Sequence, residues 1–228
     1  MTQRNILAGS MPTVIIKAGG SVNVKGHDSE MVTVESLDKW GLSVEKRSEA
    51  EIARARAAVG EHVLFDIRVK KPDFRKTDQP EDVIVVQLSG SGDVWVPMAS
   101  TIKVYAGKNI DIQTFQGKVD AYAGANLNLE NVYCLGNASA GRAMNLDCQT
   151  MPGNKVEFKA GNDLRFHVRD LISCHVQVRD IGGYWEAKIG TGEKSVSLKC
   201  GGDVTLITDQ KVEPLPPHYI LGRIEKPQ

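Results

Sequence analysis

The sequence carries no excess of either charge: 28 Lys and Arg balance 28 Asp and Glu over 228 residues. With no net field, nothing global steers the chain toward nucleic acid or an anionic membrane. Aromatic residues make up only 6%, too few for a platform that stacks the bases of a single strand. No window approaches the roughly 20 consecutive apolar residues of a membrane span. The opening stretch, MTQRNILAGSMPTVIIKAGG, has no long apolar core after Arg4, so no secretion signal is read there. The expected compartment is the cytoplasm, or the cell surface if a leader has been removed.

Motifs that carry chemistry are missing too. There is no phosphate loop, GxSxG elbow, HExxH pair or EF-hand loop. GGSVNVKG has paired glycines but no helix start behind them, and reads as a hairpin corner. No cofactor is expected. The four cysteines, Cys134, Cys148, Cys174 and Cys200, form no CxxC pair and have no His at zinc-ligand spacing. Each falls on the apolar parity of a strand, so they are expected as small buried hydrophobes. The intervals 148 to 174 and 174 to 200 are alike, as a repeat would make them.

What is present is repetition. From about residue 92, short segments alternate apolar and polar residues: Val94–Val96, Ile102–Val104, Ile110–Ile112, Val119–Ala121, Leu127–Leu129 and on to Val204–Leu206. Period-two alternation means one buried and one wet face per strand. The links are too short for crossover helices. Self-similarity at a fixed period marks a solenoid, with each rung stacked on the last and glycines at the corners. Gly107, Gly124 and Gly141 recur at one interval, and YAGKN, YAGAN and KAGND look like corners. A rung of two strands and one of three both fit the spacing. QTMPGNK breaks the register either way.

The fold class expected is all-β, a β-solenoid with one short surface helix. Residues 1–91 form its β-rich N-terminal part. There SEAEIARARAAV, residues 48–59, opens on a capping-box pattern, Ser48 with Glu51. Residues 92–208 form the regular repeats. Residues 209–228, with four prolines, form a cap or tail, because proline cannot donate to a ladder.

GGSVNVKGHDSEMVTVES, followed by GDVWVPMASTIKVYAGKNIDIQTFQGKVDAYAGANLNL, resembles an adhesin-like group of bacterial β-strand-repeat proteins of the DUF type, whose function is unknown. The group's signature is matched by Val96, Pro97, Ser100, Thr101, Ile102 and Val104. The resemblance covers most of residues 13–208. It implies a single-stranded right-handed β-helix with an adhesin-like or scaffold role, and it brings no catalytic residues.

Two surface features are candidates for function. Arg165, His167, Arg169, His175 and Arg179 share the outward parity. If their strands stack, they form a cationic patch for an acidic polymer, carboxylate or phosphate, stronger as histidine charges. The plain alternative is a solvated face balanced by Glu157, Asp170, Asp180 and Glu186. Outward carboxylates Asp111, Asp120, Glu130, Asp147 and Glu157 recur along the repeats. Polysaccharide-cleaving β-helices pair such groups, but only Tyr105 and Tyr122 stand near as a sugar platform. The expectation is a non-catalytic structural or interaction protein that self-associates end to end or through a face, or binds a protein partner. A module for an acidic polymer or lipid is the alternative, ahead of a polysaccharide-cleaving enzyme.

Overall fold

The structure, a computed structural model, describes residues 2–9, 11–36, 41–48, 83–151, 153–169, 172–181, 183–215 and 223–225. The N-terminal strands are β1 (Thr2–Leu7), β2 (Thr13–Ala18), β3 (Val22–His27), β4 (Met31–Ser36) and β5 (Leu42–Arg47). The middle of the chain supplies β6 (Val83–Leu88), β7 (Gly92–Pro97), β8 (Thr101–Ala106) and two long strands, β9 (Ile110–Ala123) and β10 (Leu127–Ala140). Next come β11 (Met144–Thr150), β12 (Lys155–Ala160), β13 (Leu164–Val168), β14 (Cys174–Asp180) and β15 (Gly183–Ile189). The chain closes with β16 (Lys194–Cys200), β17 (Val204–Ile207), β18 (Val212–Leu215) and β19 (Arg223–Glu225). The fold is all-β, and hydrogen bonds join the 19 strands into one mixed sheet. The described residues contain no helix. The helix expected at 48–59 lies, apart from Ser48, outside the described residues, as does the strand expected in VLFDIRVKK.

The pairing resolves into two ladders. The first runs β1, β4, β7, β3, β9, β10, β11, β13, β17, β19. The second runs β5, β6, β2, β8, β9, β10, β12, β16, β14, β15, β18. Strands β9 and β10 belong to both, their first halves to one ladder and their second halves to the other. Each changes direction at a residue with left-handed backbone, Thr114 (φ 50°) and Asn131 (φ 55°). Asn tolerates that conformation; a β-branched Thr there is strained.

The parallel pairings answer the question of period. Ile110 faces Leu127, and Leu127 faces Met144; Ile102 faces Val119. The repeat is therefore 17 residues and two strands, and the equal cysteine intervals of 26 are not a pairing offset. QTMPGNK widens the step: Met144 faces Leu164.

Chain order and spatial order differ. Val14 faces Ile84 on one side and Ile102 on the other, so β2 and β3 sit between β6–β7 and β8–β9. Strand β12 likewise pairs directly with β16, and β14 lies beyond β16. The expectation that each repeat lies on its predecessor fails at these two places. The reason is that an in-register parallel ladder accepts any strand of matching parity. The proline-rich tail also contributes pairing: Pro214 of β18 faces Ala187. Among the described residues β18 pairs on one side only, which is where a strand tolerates proline.

Alternation builds the core. Val24, Ile112, Leu129, Leu146, Phe166 and Leu206 from the first ladder meet Ile16, Val104, Ala121, Phe158 and Leu198 from the second in one continuous buried cluster. Cys148 and Cys174 are buried in it as free thiols, while Cys134 and Cys200 are half-buried. The signature around Pro97 has a structural role. The Ser100 hydroxyl, fully buried, donates to Pro97 O at 2.6 Å, and Ser100 N–H donates to the same oxygen. Together they fix the turn from β7 to β8.

One column of glycines explains the recurring interval. A Cβ on Gly124 would lie 2.2 Å from Gly107 O, one on Gly141 2.2 Å from Gly124 O, and one on Gly161 2.0 Å from Gly141 O. Backbone passes over backbone at this corner, and nothing larger than hydrogen fits.

Candidate functional site

The outward residues of each ladder fall into rows, because in-register pairing puts equivalent positions side by side. On the first ladder one row runs Asp93, Asn23, Asp111, Asn128, Asn145, Arg165, Thr205. Its members hold one another. Asn23 Nδ2 donates to Asp93 Oδ1 at 2.7 Å, Asn128 Nδ2 to Asp111 Oδ2 at 3.3 Å, and Asn145 Nδ2 to Asn128 Oδ1 at 2.8 Å. A second, shorter row joins Asn109 and Asn126 at the adjoining corner. Apart from Asp93, these residues line an open groove of about 760 Å³. A primary amide has two donors and two lone pairs. Each of Asn23, Asn128 and Asn145 spends one donor on its ladder bond, and Asn128 also accepts one, so each amide keeps further hydrogen-bonding capacity at strand spacing, about 4.8 Å.

The five residues of the expected cationic patch do not form one cluster. Arg165, His167 and Arg169 belong to β13 and its following residue, in the first ladder. His175 and Arg179 belong to β14, in the second. These two strands do not pair: β13 lies between β11 and β17, and β14 between β16 and β15. Carboxylates meet Arg169, His167 and His175. Arg169 Nε donates to Asp147 Oδ1 at 2.8 Å, and its second nitrogen donates to the other oxygen. His167 Nδ1 lies 3.2 Å from Asp147. His175 Nε2 lies 2.9 Å from Glu186, which also accepts from Gln177 and from the Tyr184 hydroxyl. Burial alone would raise the Asp147 carboxyl. The bonds from Arg169 and from Asn131 N–H, with His167 nearby, outweigh it and hold the group below the usual carboxylate range.

The recurring carboxylates are likewise engaged. Asp120, expected to face solvent, is only 5% exposed. It accepts from Asn137 N–H at 2.8 Å, and Gly136 packs so closely that a Cβ there would touch its carboxylate. Glu157 is bonded by Lys159 at 2.7 Å and also by Lys199, which together keep its carboxyl below the usual range. Tyr105 and Tyr122 stack on each other, centroids 5.0 Å apart and planes 8° apart, so their facing ring surfaces are covered rather than offered to a sugar.

Two further features emerge on the surface. The Asp111, Asn128, Asn145 row was detectable, since those residues recur at the 17-residue period. The approach of Lys159 to Lys199, which face each other across β12 and β16, had no such signal. Among the described residues no cluster of His, Cys, Asp and Glu could hold a metal ion, and no helix is long and apolar enough to cross a membrane.

No family model matches the chain, and no curated protein matches it. It is similar to a crystal structure of a putative cell adhesion protein from Clostridium sporogenes, with 9% sequence identity, a TM-score of 0.35 and 99% of each chain covered. At that identity and superposition, the likeness carries nothing about function.

Proposed function

We propose that this chain winds as a β-solenoid and acts as a non-catalytic, adhesin-like scaffold, offering its flat sides to a second copy or a protein partner. The observation that carries the reading is the in-register repetition. Inward positions of successive 17-residue repeats share one core, and outward polar groups bond to their neighbours in rows. Chemistry of the glycosidase kind needs two carboxylates converging on one open point. Here Asp147 and Glu157 are each satisfied by cations.

Association through a side is favoured over end-to-end stacking. Among the described residues both ends finish in protected edges. At one end the outer strands β5 and β1 pair antiparallel with β6 and β4; β5 carries Glu45, Lys46 and Arg47, and β1 carries Arg4. At the other, β18 and β19 are 4 and 3 residues long. Short, charged or proline-bearing edges resist further strand addition. The asparagine groove is the side assigned, since its amides keep unused donors and acceptors.

Sedimentation velocity over a concentration series tests the assembly. A concentration-dependent species that Asn128→Ala with Asn145→Ala removes supports it; a monomer throughout refutes self-association. A reducing-end assay over acidic and neutral polysaccharides tests the absence of catalysis, and released product refutes the scaffold reading.

A further inference from the structure

On the second ladder, β12, β16 and β14 bring three cations into one row. Lys159 faces Lys199, and Lys199 faces Arg179. Like charges directly opposite one another on neighbouring strands repel, so such a row persists only with compensation. Glu157 supplies it for the two lysines, which remain 57% and 48% exposed. It does not supply it for Arg179, whose ladder neighbours are Lys199 and Tyr184. Among the described residues Arg179 has no ion-pair partner. Lys155 and Lys188 stand at two further corners of the same face, where Lys188 faces Glu213, and Glu186 is engaged by its own neighbours. Along the row runs an open groove of about 890 Å³ lined by three cations, Lys155, Lys199 and Arg179, against two carboxylates, Glu157 and Asp180, with Ser197 also in its lining.

We infer that this face binds a linear acidic polysaccharide, its carboxylates or sulfates lying along the row Lys159, Lys199, Arg179. The inference rests on the scaffold reading only for the flatness of the side. Several features select this class. The positive charges step at strand spacing, about 4.8 Å, close to the length of one sugar in an extended glycan. Arg179 offers a planar fork that takes a carboxylate or sulfate with two bonds. Ser197 and Gln177, beside the row, suit sugar hydroxyls. A nucleic acid fits less well, because Tyr184 is the exposed aromatic of this face and base stacking needs several.

The test is biolayer interferometry at low salt with immobilised polygalacturonate and dextran sulfate, neutral dextran as blank, and oligo-dT as competitor. Wild type is expected to bind both acidic polymers, weakening as salt screens the contacts. Lys199→Gln with Arg179→Gln should bind about tenfold more weakly. Glu157→Gln, which removes the carboxylate competing for the lysines, should bind several-fold more tightly. Arg142→Gln, an exposed cation at the corner between β10 and β11, should bind as wild type does. Circular dichroism checks that each variant is folded, and the single Arg179→Gln change stands in should the double variant misfold. The inference is overturned by no binding to either acidic polymer, by equal binding of the Arg179 variant, by Glu157→Gln weakening it, or by oligo-dT displacing the glycan at lower concentration. None of these outcomes touches the sedimentation result, so the scaffold reading stands or falls separately.

Discussion

Replacing Gly124 by alanine tests the stacked corner most directly. The added Cβ would lie 2.2 Å from Gly107 O and 2.9 Å from Gly107 C. A carbon and a carbonyl oxygen normally approach no closer than about 3.3 Å, so the strands must part by about 1 Å. The clash is with backbone, which cannot rotate aside as a side chain can. Parting them stretches the bond from Gly124 N–H to Ala106 O, now 2.9 Å. Overpacking costs about 1–3 kcal/mol, and loss of one backbone hydrogen bond about 1 kcal/mol, giving about 3 kcal/mol in all. For a chain of this size that corresponds to a fall in Tm of about 6–12 °C. Gly153→Ala is the control: its nearest atom would be 3.8 Å away, so its midpoint should move by about 1 °C or less. Thermal and urea unfolding followed by circular dichroism read both. If the two variants melt together, the column is not the close backbone contact described here, and the case for a tightly stacked corner fails.

Acid should expose the contribution of Asp147. Its folded pKa lies below its ordinary value of 3.8, so the stabilisation is complete above about pH 4 and is lost as pH falls through the folded value. Urea midpoints between pH 6 and pH 2.5 should therefore fall more steeply in wild type than in Asp147→Asn; parallel profiles would refute the assignment. Burial pushes the Cys174 thiol up to about 12 and Cys200 up to about 11, and raises Cys148 and Cys134 as well. Because the thiolate is the nucleophile, native protein at pH 8 should alkylate slowly with iodoacetamide at all four sites, slowest at Cys148 and Cys174, and rapidly in urea. Peptide mass spectrometry showing Cys174 labelled in the native state at a free-thiol rate would contradict its burial. Thr114→Gly should raise the stability by up to about 1 kcal/mol, read as a higher urea midpoint, through relief of left-handed strain at a β-branched residue; a lowered midpoint would mean that its side chain contributes more than the backbone costs.

Much of the molecule was legible in the chain. Alternation placed β6 to β17, and parity named the core, from Val94 to Leu206, because burial of every second residue is a local property of an extended strand. Glycines 17 apart pointed to a corner where backbones meet, and QTMPGNK to a break in register. The change of direction at Thr114 and Asn131 was not legible: alternation marks three short segments, Ile110–Ile112, Val119–Ala121 and Leu127–Leu129, where β9 and β10 run on as two long strands.

Which strand lies beside which was decided only in three dimensions. Val14 could pair equally well with any β-branched strand of its parity; its place between Ile84 and Ile102 follows from closing the whole stack, not from anything near residue 14. The surface inherits that choice. Neighbours 40 residues apart, Lys159 and Lys199, acquire a shared charge, while Arg169 and Arg179, only ten apart in sequence, are sent to different ladders. Sequence settles which side of a strand is dry, because that depends on the strand alone; only the tertiary arrangement settles which charges meet, because that depends on the neighbour each strand is given.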